Sequence, residues 1–153
     1  MRLYFKGHDY KYAAEQMLLT LFPEERPEYP EGSPAGDRME LRMHRGGVYT
    51  TAFCAFYSGG ECWKGRAAAK NSAMSDELST DRICQRLIKN AMYRAALRSG
   101  HQKPAWGALT GVRPVKLPTR AMLAGATPRQ AQRELERDFR VSPVRASLAV
   151  DCA

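Results

Sequence analysis

Two glycine pairs, Gly46-Gly47 and Gly59-Gly60, bracket the part of this 153-residue chain whose fold is most constrained. Residues 38–44 read RMELRMH and alternate strictly. Side chains of a strand point alternately to its two faces. Met39, Leu41 and Met43 therefore share one face, and Arg38, Glu40, Arg42 and His44 share the other. Gly46-Gly47 suits a two-residue hairpin turn, because glycine accepts the positive φ such turns require. A turn there sets Arg45 opposite Val48, Met43 opposite Thr50, Leu41 opposite Ala52 and Met39 opposite Cys54. A second turn at Gly59-Gly60 sets Phe56 opposite Trp63, Cys54 opposite Gly65 and Ala52 opposite Ala67. Both turns gather the apolar residues on one face, as a one-sided sheet requires. A three-stranded meander is predicted. Its third strand weakens toward Lys70, where the alanines favour helix.

The rest of the chain builds on that sheet. Residues 2–6 alternate, with Leu3 and Phe5 on one face, and predict a short strand. Asp9 is placed to cap a following helix, whose buried face is Ala14, Met17, Leu18 and Leu21. Phe22 extends that face and Pro23 stops the helix. Residues 23–37, PEERPEYPEGSPAGD, lack periodicity and read as a mobile loop. Residues 71–78 form a linker, after which Ser79 or Thr80 caps a long helix. Its inner arc is Ile83, Cys84, Leu87, Ile88, Ala91 and Ala95, with Arg82, Arg86 and Lys89 opposite as a solvated stripe. Gly100 ends it.

Short helices follow. One runs from Leu117 to Ala124 and ends at Gly125. TPRQ, residues 127–130, is a capping box with proline at the first helical position. Ala131, Leu135 and Phe139 form that helix's inner face, and SPVR at 142–145 starts another. The fold class is α+β: a small antiparallel sheet (N-terminal strand plus meander) covered by two helices, with a C-terminal appendix of short helices. Residues 1–100 form the sheet-and-helix domain, and residues 101–153 a glycine-jointed appendix packed on the same core.

Charge is unevenly placed. Residues 1–60 carry seven Lys and Arg against eight Asp and Glu, residues 61–100 eight against four, and residues 101–145 nine against three. A basic C-terminal half favours anionic partners: nucleic acid, an acidic protein or a small polyanion. The N-terminus meets charge too early for a signal peptide, and VYTTAFCAFY is too short to span a bilayer, so a cytoplasmic address is expected. Cys54, Cys62, Cys84 and Cys152 show neither CxxC pairing nor zinc spacing, and free thiols are expected. His8, His44 and His101 stand alone, Tyr10, Tyr12 and Tyr49 read as ordinary aromatics, and no serine sits in a nucleophile elbow. No catalytic or metal-binding set emerges.

Residues 106–114, WGALTGVRP, hold the densest candidate chemistry. A Walker loop needs G-x-x-x-x-G-K-[ST] between strand and helix. Here the glycines are one residue closer, no strand precedes them, and the NAD-type G-x-G-x-x-G is absent. A weaker reading survives: Gly107 and Gly111 turn the backbone and expose N–H groups able to meet an anion. Pro114 favours an extended Arg113, whose planar fork suits carboxylate or phosphate. Lys116 and Arg120 add charge nearby. Thr110, Gly111, Arg113, Lys116 and Arg120 are thus the candidate anion, substrate or interdomain contacts. Trp106, Gly107, Leu109 and Pro114 are the architectural part. The competing reading is a joint between helices, with Trp106 and Leu109 filling a gap.

WGALTGVRPVKL, followed by PRQAQRELERDFRVSP, resembles the N-terminal region of the oxygen-independent coproporphyrinogen III dehydrogenases of the radical SAM superfamily, in the Firmicutes-type branch. Trp106, Gly107, Leu109, Thr110, Gly111, Arg113, Pro114, Lys116 and Leu117 fit the family's W-G-x-L-T-G-[IV]-R-P-x-K-L segment. Gln130, Ala131, Glu134, Leu135, Asp138 and Phe139 fit its next helix. The resemblance implies a porphyrin-pathway protein that oxidatively decarboxylates two propionates with S-adenosylmethionine and a [4Fe–4S] cluster. The family's C-x-x-x-C-x-x-C set does not occur in these residues, so no catalytic residue carries over. The resemblance then implies an accessory domain, with a radical SAM catalytic domain in cis and a carboxylate-rich porphyrinogen as partners. The ending, AVDCA, stops inside a helical pattern and suggests a domain cut from a longer protein.

Two alternatives remain. The short helices joined at Gly125 and at Arg140-Val141 could form a helix-turn-helix that meets nucleic acid. The alternation Arg133, Glu134, Glu136, Arg137, Asp138 argues against it, since three carboxylates would face phosphate. A scaffold domain for an acidic protein partner is the blander reading.

Overall fold

The computed structural model describes residues 1–153. The order is β1 (Arg2–Lys6), α1 (Lys11–Leu21), β2 (Arg38–Arg45), β3 (Tyr49–Ser58), β4 (Glu61–Lys70), α2 (Glu77–Arg98), α3 (Lys116–Leu123), α4 (Pro128–Phe139) and α5 (Pro143–Asp151). The chain divides into two units, Met1–Gln102 and Lys103–Ala153.

The first unit is an α+β layer. Its sheet has the order β1-β2-β3-β4. β2, β3 and β4 form the expected antiparallel meander, with β4 reaching Lys70 despite its alanines. Sheet pairing overrides their helical preference. β1 differs from expectation. It pairs parallel to β2, with Leu3 beside Met39 and Phe5 beside Leu41, so the sheet is mixed. The reason is the connection: α1 and the loop after it return the chain to the starting end before β2 begins, as a crossover does.

The second turn stands as read, with Phe56 opposite Trp63, Cys54 opposite Gly65 and Ala52 opposite Ala67. Gly59 and Gly60 both take positive φ, 59° and 81°. Asp37 holds this turn, accepting from the Gly59 N–H at 3.1 Å. The first turn is corrected. Arg45 faces Thr50, Met43 faces Ala52, Leu41 faces Cys54 and Met39 faces Phe56. Neither Gly46 nor Gly47 takes a positive φ. The cause is Asn71, just beyond β4. Its N–H donates to the Val48 carbonyl, its side-chain amide donates to the Gly46 carbonyl at 2.8 Å, and its side-chain oxygen accepts from buried Thr50 at 2.7 Å. The register moves by two, an even shift, so every side chain keeps its face.

Leu3, Met39, Leu41, Met43, Ala52 and Cys54 are buried in the core of this unit, where α2 packs on β3 and β4 and α1 packs against α2. α1 supplies Ala14, Met17, Leu18 and Leu21 as expected, and adds Ala13. Asp9 does not cap it; Tyr10 is the N-cap residue, without a side-chain bond. Instead His8 Nδ1 accepts from the Tyr10 N–H. α2 begins earlier than Ser79, because Asp76 is its cap and accepts from the Ser79 N–H at 2.7 Å. α2 comes close to β4: a Cβ on Gly65 would stand 2.6 Å from the Ala95 nitrogen. Only glycine fits there. Lys89 is not part of a solvated stripe. It is half-buried and donates to Gln16 of α1 at 2.9 Å, and burial lowers its pKa.

Both sheet edges are occupied. The residue 23–37 loop docks on β1, where Leu3 donates to the Glu28 carbonyl and Glu28 to the Met1 carbonyl. On β4, Arg94 and Arg98 of α2 donate to the Arg66 and Lys64 carbonyls at 2.7 and 2.9 Å. Paired carbonyls and charge on an edge discourage sheet extension by another chain.

The second unit packs α3, α4 and α5 around Leu109, Leu135, Val141, Ala146 and Ala149. Its helix ends follow the sequence closely. Thr127 and Gln130 form the capping box, and Ser142 caps α5. Gly125, at φ 103°, closes α3, with Ala126 donating to the Ala121 carbonyl.

Candidate functional site

The 106–114 segment divides into two halves. Trp106 and Leu109 pack against the core of the second unit, and Gly107 and Ala108 are buried. Gly107 has φ 60° and sits on the end of α4, where an added Cβ would meet the carbonyls of Phe139 and Arg140. The N–H groups here are spent inside the unit. Gly107 donates to the Pro104 carbonyl, Ala108 to Phe139 and Leu109 to Trp106. The Ala108 bond, at 2.8 Å, satisfies a carbonyl that the last turn of α4 leaves open. Arg140 then takes the left-handed conformation, φ 57°, that turns the chain toward α5. Of the two readings open for Gly107, these bonds match the helix joint and leave no N–H groups there for an anion nest. Arg145 lies over the Trp106 ring at 5.4 Å and closes the joint from α5.

Beyond Leu109 the segment turns outward. Thr110 is half-buried, while Gly111, Val112 and Arg113 are exposed, with Val112 41% exposed. Gly111 has φ 78°, a conformation glycine adopts without strain. The Arg113 carbonyl accepts from Lys116 at 3.0 Å, a turn that leads into α3 through half-buried Pro114. Lys116 and Arg120 are exposed, four residues apart on α3. They share one helix face. Gly111 and Arg113 thus lead into the start of α3 at Lys116, while Arg120 stands one turn further on, in the last turn of the helix. The positive end of the α3 dipole adds to the attraction for an anion there.

The other titratable groups do not assemble into a catalytic set. His8 is half-buried; its Nε2 donates to the Leu41 carbonyl at 3.1 Å while Nδ1 accepts from Tyr10, and burial lowers its pKa. Burial raises the pKa of Tyr10, whose hydroxyl donates to Asp81 at 3.1 Å, and that of the Cys54 thiol. Tyr12 and Tyr49 are exposed, and His101 lies against Phe22 at 4.7 Å between ring centroids. The four cysteines are free, and no three His, Cys, Asp or Glu side chains are placed to hold a metal ion. On α4, Arg133 and Arg137 are exposed, and Arg137 pairs with Asp138 at 3.0 Å.

A second surface carries no sequence motif. The sheet face turned away from α1 and α2 forms a groove of about 940 Å³, which Lys6, Arg42, Lys64, Arg66, Arg94 and Arg98 line with Glu40 as the one carboxylate. Alternation in RMELRMH gave its β2 row, but the β4 and α2 cations join it only through the pairing register. No helix is long and apolar enough to cross a membrane. No family model, curated protein or solved structure matches this chain.

Proposed function

We propose that this chain is the non-catalytic N-terminal accessory part of a coproporphyrinogen III dehydrogenase-like radical SAM protein. In this reading it displays Arg113, flanked by Lys116 and Arg120, to a carboxylate of the porphyrinogen or of the catalytic domain in cis. The observation that supports it is the division of the 106–114 segment. Its inner half is consumed in a helix joint, whereas its outer half, Gly111 to Arg113, is exposed and carries the one charge of the segment. The [4Fe–4S] cluster and S-adenosylmethionine belong, in this proposal, to the catalytic domain and not to these residues.

The test is Arg113→Ala, with Arg113→Lys beside it, in the full-length protein. A lost charged hydrogen bond of about 1.5–3 kcal/mol lowers kcat/KM for coproporphyrinogen by about 10- to 150-fold, with melting unchanged. Arg113→Lys keeps the charge but not the fork, and recovers only part of the loss. Unchanged kinetics in both variants would remove the role. Parentage is read from the residues encoded beyond Ala153: a C-x-x-x-C-x-x-C set shortly downstream is expected, and a long continuation without one contradicts it.

A further inference from the structure

We propose that the open face of the sheet in the first unit binds single-stranded nucleic acid. The inference is independent of the role given to Arg113. The pairing registers lay the face out in cross-strand rows. One row is Lys6, Arg42, Phe53 and Arg66, one residue from each strand. The next is Tyr4, Glu40, Ala55 and Lys64, and the third is Arg2, Arg38, Tyr57 and Cys62. Strands lie about 4.8 Å apart, so each row spans about 14 Å. Charge and rings alternate within this small area.

The rings are set beside guanidinium groups. Arg42 lies over the Phe53 ring at 4.6 Å and Arg38 over the Tyr57 ring at 3.8 Å. Phe53 and Tyr57 are half-buried, and Lys6, Arg42, Lys64 and Arg66 are exposed. Ala55 lies between the two rings on β3 and leaves the floor between them low. Arg94 and Arg98 bring two more cations to the rim, fixed there by their bonds to β4 carbonyls. Six groove cations face a single carboxylate, Glu40, which Arg38 already engages at 2.9 Å. The face is therefore strongly cationic.

A charged groove alone would suit any polyanion. Aromatic and guanidinium planes among the cations select an anion that carries flat rings, because bases stack on such planes while phosphates meet Lys and Arg. The bases must be unstacked to use them, which favours a single strand over a duplex. An acidic peptide would satisfy the charges and leave the rings idle.

The experiment is fluorescence anisotropy of the full 153-residue chain with a labelled RNA of mixed sequence, about 12 nucleotides long, at about 50 and about 200 mM salt. Binding is expected at the lower salt, weakening steeply at the higher. Arg42→Ala with Arg66→Ala removes two phosphate contacts and lowers the salt slope by about 1.4. Phe53→Leu keeps bulk but not the ring, and weakens binding about 5-fold or more. Arg129→Ala with Arg133→Ala, on exposed positions of α4, leaves affinity unchanged. Circular dichroism melts of each variant confirm folding. Three results would overturn the proposal: no binding at low salt, full affinity in the Arg42/Arg66 variant, or competition by polyglutamate or inorganic polyphosphate equal to that of RNA with Phe53→Leu unaffected.

Discussion

The two units are held together by different means. In the first, large side chains such as Leu3, Met17, Leu41, Leu87, Ile88 and Met92 fill the space between a four-stranded sheet and two helices. Strand register decides which of them meet. In the second, three helices of 8, 12 and 9 residues surround five side chains, two leucines, a valine and two alanines. Helices this short are marginal alone in water, so their ends carry an unusual share of the stability. That is why the second unit concentrates its devices at termini: a capping box, a serine cap, two prolines at first helical positions, and glycines at its joints. A sheet is specified by its middle, a small helical cluster by its corners.

The contrast is open to attack by substitution, beginning with the largest effect. Ile88→Ala removes a fully buried side chain from the first unit and costs about 2–5 kcal/mol. Amide hydrogen exchange should accelerate throughout the sheet, and a loss confined to α2 would break the view of one cooperative layer. Thr127→Ala removes the α4 cap at a cost of about 1 kcal/mol. Asp76→Ala deletes the equivalent bond from the 22-residue α2. The chemistry is alike, but exchange should quicken across all of α4 and only in the first turn of α2. Equal spread in both helices would contradict the emphasis on ends in the second unit.

The smallest effect is electrostatic. Burial holds the His8 pKa below 6.5, with Nδ1 occupied as an acceptor from Tyr10. As pH falls through about 6.5 the unfolded chain takes up the proton first, so the folded state loses stability between there and the lower folded pKa. Above about 6.5 the contribution is complete. Melting temperature should therefore drop across this window in the native chain, and the part due to His8 should vanish in His8→Gln.

Legibility in the sequence follows the same division. The helix ends of the second unit were readable because a capping box or a C-terminal glycine is local: Thr127, Gln130, Ser142 and Gly125 act on residues within one turn. The second hairpin was readable for the same reason, its two glycines lying inside the turn they make. The first hairpin was not, because Asn71 pins it from beyond β4, 25 residues after Gly46. The direction of β1 depends on a crossover of 31 residues between Lys6 and Arg38, which no local pattern encodes. The candidate site split likewise. Exposure of Arg113 fits its place beside Pro114, whereas the burial of Gly107 depends on α4 ending against it. The groove on the open sheet face was half visible in β2 and completed only by register.

Residues 106–114 divide between a buried joint at Gly107 and an exposed Arg113. Paired equilibrium unfolding, followed by exchange in α4 and α5, tests it most directly. Gly107→Ala combines a left-handed backbone with overlap on the Phe139 and Arg140 carbonyls, and should cost about 3 kcal/mol. Arg113→Ala should change stability by no more than about 0.5 kcal/mol. That asymmetry is the predicted result. Comparable losses in the two variants, or a tolerated Gly107→Ala, would contradict it.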